Sequence, residues 1–158
     1  MVLIMSGFEK INWNATYEAT KGLLKGYQNK QMAAARYSIM MKSPVITDMP
    51  GVASVSNHVE NKLTDGMEEA QEAKYECAMI ENTIRGMRDI DNRHEIMAEL
   101  LALRYLKGMK AKDVRKLLTA QSTYTLALPE RTYNDYLHDA IYSFAMMYPK
   151  DEIRILVK

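Results

Sequence analysis

Arg131, Thr132, Asn134, Asp135 and His138 follow one another at intervals that bring them to one side of a helix. Their chemistry is hydrogen bonding at the edge of a flat heterocycle. A guanidinium presents a fork of donors matching O6 and N7 of guanine, a carboxamide pairs with N6 and N7 of adenine, and a carboxylate accepts from N4 of cytosine. A second group, Lys107, Lys110, Lys112, Arg115 and Lys116, is cationic and suited to phosphate. Between residues 104 and 116 these five and Arg104 are opposed only by Asp113, in a chain whose formal net charge is +1. Basic character is therefore concentrated rather than spread.

The elements that must position these groups are helical by period. Tyr133, Leu137, Ala140, Ile141, Phe144, Ala145 and Tyr148 form one apolar stripe, and Pro129 suits the first helical turn, where its missing N–H costs nothing. Upstream, Ile96, Met97, Leu100, Leu101, Leu103 and Leu106 face inward from a helix that Gly108 ends, and Asp91 or Asn92 caps its start. The short segment 110–118 buries Val114, Leu117 and Leu118 and leaves its lysines outside. Three consecutive helices, the second basic and the third with a polar leading face, make the layout of a helix-turn-helix reader of duplex DNA. A three-helix bundle with a solvated lysine face has the same local pattern.

Several ordered motifs resemble the ArpU/RinA-like phage late-gene transcriptional regulators. They are Leu101 with Arg104, Tyr105 and Leu106; the basic helix ending Arg115, Lys116, Leu117, Leu118; Glu130 to Tyr133; and Asp139, Ala140, Ile141 with Phe144 and Ala145. Upstream, Ser43, Pro44, Thr47, Asp48, Met49 and Pro50, then Asn57, Val59 and Glu60, are similar to elements that precede a long central helix in that family. The resemblance covers most of residues 43–148. It implies a DNA-binding activator of late phage operons with a sigma-factor-like helix-turn-helix at its C-terminal end, acting in the cytoplasm of a bacterial host. One departure is the stretch 119–128, longer than the roughly three or four residues of a tight turn. It is either a lengthened turn or an ordered extension that shifts how the last helix meets DNA.

Composition bounds the alternatives. With 158 residues the chain can bury a sizeable core, and no stretch approaches the roughly 18 to 20 apolar residues of a membrane span, so a cytoplasmic product is expected. Cys77 is alone and reads as a small core residue. His58, His94 and His138 lack partners at metal-ligand spacing, and no phosphate loop or catalytic signature is present. No catalytic residue, metal or cofactor is expected. The 13 methionines read as gap-filling core, with those near Pro44 and at 146–147 also suited to an interface.

In chain order, Asn14 is placed to cap a helix running to about Lys42, weakened at Gly22 and Gly26, where it is open to a kink or a split. Residues 43–56 hold Pro44, Pro50 and Gly51 and read as a loop. From 57 to about 90 comes a long helix with Val59, Leu63, Met67, Ala70, Ala73, Cys77, Ile80, Ile84 and Met87 inward and an acidic outer face, suited to self-association or protein docking. Gly66 and Gly86 are candidate interruptions. The expected fold is all-α: residues 1–56 an N-terminal helix and loop, 57–92 a long acidic helix, 93–150 the helix-turn-helix module, and 151–158 a tail that packs back or forms a strand-like edge. The expected function is a sequence-specific, non-enzymatic transcriptional regulator, with double-stranded DNA, RNA polymerase and a second copy through 57–90 as partners. The competing reading is a helical adaptor or assembly protein that binds a protein such as RNA polymerase.

Overall fold

The computed structural model describes residues 10–42, 56–119 and 128–158, with side chains outside description at 41, 56–64 and 119. The fold is all-α: α1 (Trp13–Lys25), α2 (Tyr27–Lys42), α3 (Ser56–Arg88), α4 (Asn92–Leu101) continuing into a π turn (Ala102–Leu106), α5 (Ala111–Thr119), α6 (Glu130–Met147) and a 3-10 turn (Asp151–Ile153). Among the described residues no helix is long and apolar enough to cross a membrane.

The expected single helix from 14 to 42 is split at Gly26, whose N–H closes the last turn of α1 onto the Gly22 carbonyl. Its cap is Asn12, two residues earlier than expected, with the side-chain oxygen accepting from Ala15 N–H at 3.1 Å. By contrast α3 runs through Gly66 and Gly86 unbroken, about 50 Å at 1.5 Å per residue. Asp91 caps α4 by accepting from the His94 N–H at 2.7 Å and facing the His94 Nδ1 at 2.8 Å. These bonds hold the Asp91 carboxyl below its ordinary range, the backbone bond being the largest cause.

The chain divides into two compact units, residues 29–78 and residues 1–28 with 79–158, so α2 and α3 each contribute to both. In the first, Lys30 pairs with Glu76 at 2.8 Å, the Lys74 ammonium sits 5.6 Å from the Tyr37 ring, and Gly66 lies beside Met40. Positions that rise along α2 meet positions that fall along α3, so the two segments are antiparallel, with Ala70, Ala73 and Cys77 buried. In the second unit Ile80, Ile84 and Met87 are buried as well. The stripe from Ala70 to Met87 is thus covered within one chain, and over this length the leftover-apolar-surface argument for self-association through 57–90 loses its basis; Val59 and Leu63 lie outside the described side chains.

The second unit carries the larger core. Helix α6 packs on α4 and on α1. Leu24, Met97, Leu100, Leu101, Val114, Leu118, Leu128, Ile141 and Phe144 are its fully buried centre. The tail does both things expected of it. Ile153 is buried, Leu156 forms an isolated antiparallel bridge with Ile11, and the Arg154 guanidinium donates to the Ala145 and Tyr148 carbonyls at 2.8 and 2.7 Å, tying the end of α6. The tail is also tied to α1, since Thr16 Oγ1 accepts from Ile155 N–H at 3.0 Å.

Candidate nucleic-acid interface

The exposed side of α6 begins at its first turn. Pro129 is extended and precedes the helix rather than entering it, so Glu130 opens the first turn, where a carboxylate suits the helix dipole. Arg131, Asn134, Asp135 and His138 are all exposed, on the side opposite the buried Tyr133, Ala140, Ile141 and Phe144, while Thr132 is half-buried at the edge. These side chains therefore lie along one stripe of α6.

It is not open along its whole length. The His138 ring lies 4.9 Å from Tyr17 and 4.7 Å from Tyr142, and Trp13 meets Tyr142 edge-on at 5.1 Å. Helix α1 thus crosses α6 over its middle turns and engages His138. On the other flank Arg93 pairs with Asp139 and lies 5.4 Å from the Tyr136 ring. Among the described residues nothing pairs with the N-terminal part of the stripe, Arg131 with Asn134 and Asp135. A recognition helix uses its N-terminal residues on base edges.

The basic group sorts into two kinds. Lys107, Lys110, Lys112 and Lys116 are exposed. Lys110 lies just ahead of α5 rather than in it, and its carbonyl accepts from the Asp113 and Val114 N–H groups at 3.0 Å each. Arg115 is half-buried, and its Nε donates to the Leu128 carbonyl at 2.7 Å. The phosphate role expected of Arg115 is thereby joined by a structural one. Leu117 departs from expectation: it is 48 % exposed, because Val114 and Leu118 alone fill the side of α5 that meets the core. In a nine-residue helix three apolar positions span more arc than one neighbour covers, and Leu117 falls on the outer part.

Arg104 works inside the unit. It donates to the Met109 carbonyl at 3.2 Å and lies 5.6 Å from the Tyr105 ring. Burial pushes the Tyr105 hydroxyl up to about 12 and the Tyr133 hydroxyl in the same direction, with Arg104 partly offsetting both. The turn that follows is set by Gly108, at φ +67°. A Cβ there would run into the Gln28 side-chain amide.

Local reading missed Trp13, Tyr17 and Tyr142, because what joins them is a contact between helices more than a hundred residues apart in sequence. Of the lengthened stretch 119–128, residues 120–127 lie outside the described residues, as does the motif at 43–50; the motif at 56–60 begins α3. Among the described residues no group of three or more His, Cys, Asp or Glu is placed to hold a metal ion. No family model, curated protein or solved structure matches the chain.

Proposed function

We propose that the chain is a sequence-specific DNA-binding transcriptional regulator, working by binding alone. Arg131, Asn134 and Asp135 meet base edges in the major groove, with Thr132 and His138 at the margin of the contact. Lys107, Lys110, Lys112 and Lys116 hold phosphates and set register, and Arg115 contributes charge while it fixes the entry to α6. The observation that carries this reading is the exposed first part of α6, which offers a donor fork, a carboxamide and a carboxylate side by side in the same compact unit as four exposed lysines. The resemblance noted in the sequence adds the narrower role of a phage or prophage late-gene activator.

Contact with RNA polymerase belongs to the same proposal. Asp65, Glu68, Glu69 and Glu72 are exposed on α3, with Tyr75 62 % exposed beside them, and an acidic surface is repelled by phosphate but suits a basic protein partner. This same surface favours the second reading, an adaptor that binds protein only.

A salt series separates the two. Binding to duplex DNA that weakens steeply with salt, as counterions are released by several phosphate contacts, supports the regulator. A chain that binds no duplex even at about 50 mM salt, the low end of the range over which such losses are read, is the adaptor.

A further inference from the structure

Beside Gly108 the second unit contains a cavity of about 160 Å³ lined by Leu24, Lys25, Gln28, Arg104, Tyr105 and Gly108. That is several times the roughly 30 Å³ share of one water molecule in the liquid. Two of the lining residues are cations, one is a carboxamide with two donors, and among the described residues none of the lining is acidic. Leu24 and Tyr105, both buried, supply its apolar lining. Four separate elements build it: the end of α1, the first turn of α2, the π turn, and the glycine turn.

Arg104 and the glycine turn are held in place. Arg104 is braced by the Met109 carbonyl and the Tyr105 ring, which fixes one end of its guanidinium and leaves a planar fork with five N–H donors in all. The Gln28 side-chain amide lies against Gly108, and the left-handed backbone at Gly108, which favours glycine, turns the chain past the opening. Lys107, exposed, adjoins Gly108 in sequence and adds a further positive charge to that turn. Two cations and a carboxamide donor lining one cavity suit an oxyanion, and a planar fork favours phosphate or carboxylate geometry.

We infer that this cavity is a phosphate-binding site, formed by Lys25, Gln28 and Arg104. Its phosphate comes either from the backbone of bound DNA, in which case the inference rests on the DNA-binding reading and extends the backbone contact from α5 to the end of α1, or from a small phosphorylated molecule.

The full chain, labelled with ¹⁵N, is titrated with inorganic phosphate and, at matched ionic strength, with chloride. The expected result is a saturable shift of the Gly108 backbone amide and the Gln28 side-chain amide with phosphate alone, abolished in Lys25→Gln and in Gln28→Ala for the remaining reporter. Lys25 and Gln28 are exposed, so both variants keep the core intact. On random duplex DNA, Lys25→Gln makes the plot of log affinity against log salt shallower by about one unit if the phosphate is the DNA backbone's. An unchanged slope with the phosphate shift intact in the wild type assigns the site to a small phosphorylated ligand. Shifts equal in chloride, or shifts that persist in Lys25→Gln, overturn the site. A chain that binds phosphate here yet binds no duplex overturns the DNA-binding reading and leaves this one standing.

Discussion

Arg115 and Leu128 hold each other through two hydrogen bonds that run in opposite senses: the Arg115 Nε donates to the Leu128 carbonyl at 2.7 Å, and the Leu128 N–H donates to the Arg115 carbonyl at 3.3 Å. The middle of α5 and the residue ahead of Pro129 are thereby fixed to one another. The N-terminal turn of α6 starts from a defined point however residues 120–127 run.

This latch separates Arg115 from the lysines near it. Arg115→Ala removes a charge-assisted bond to a buried carbonyl and is expected to lower unfolding stability by roughly 1–3 kcal/mol. Lys112→Ala and Lys116→Ala, both exposed, are expected to change stability by no more than about 0.5 kcal/mol. Each should make the DNA salt slope shallower by about one unit for the phosphate it no longer neutralises. Urea unfolding beside the salt series reads both. An Arg115→Ala variant as stable as the wild type removes the structural role.

Two glycines behave oppositely. At Gly108 an alanine meets both a positive φ and the Gln28 amide, and Gly108→Ala is expected to cost about 1–3 kcal/mol. At Gly22, inside α1, a Cβ meets nothing within 4 Å, and Gly22→Ala is expected to add roughly 0.5–1 kcal/mol. Thermal unfolding of the pair checks this, and equal effects of the same sign contradict it.

Raised tyrosine hydroxyls give an alkaline limit. Tyr105 ionises near 12 and Tyr133 above the ordinary 10, chiefly through burial. The folded state favours the protonated form, so their contribution is fully present below about pH 10 and is lost as pH rises through the folded value. Absorbance titration of phenolate should show these two lagging the exposed tyrosines, with stability falling between about pH 10 and 12. Replacing Tyr105 by Phe removes the late-titrating component at that position and leaves the fold standing, because Phe keeps the ring against Arg104. A Tyr105 that titrates at 10 in the folded protein contradicts its burial.

The helices were legible because their signals are local. The 3.6-residue period placed α4, α6 and most of α3, Asp91 was one of two expected caps, and Gly26 was one of two expected breaks. The side of α6 that carries Arg131, Asn134 and Asp135 followed from the same period. Other features depend on partners distant in sequence. Nothing near His138 announces Tyr17, nothing near Arg115 announces the Leu128 carbonyl, and Leu117 is apolar whether or not a neighbour reaches it. The cavity at Gly108 joins Lys25 to Arg104, a juxtaposition that no window of one helix contains.

The closure of α1 over α6 has its own consequence. Tyr17→Ala removes the ring packed against His138 and is expected to destabilise the unit by about 1–3 kcal/mol while leaving Arg131, Asn134 and Asp135 exposed as before. DNA affinity at temperatures well below unfolding should then change little. A variant that keeps its stability but no longer binds duplex would move the contact from the first turns of α6 onto the aromatic cluster of Trp13, Tyr17, His138 and Tyr142.

The central claim is that the first turns of α6 read sequence, and the most direct measurement is the ratio of affinities for a duplex selected from a random pool and for unselected duplex, in the wild type and in Arg131→Ala. Loss of a guanidinium on a guanine edge is worth about 1–3 kcal/mol at one base position, so the ratio should fall by that amount while affinity for unselected duplex barely moves. If both affinities fall together in a folded Arg131→Ala protein, α6 does not read the bases.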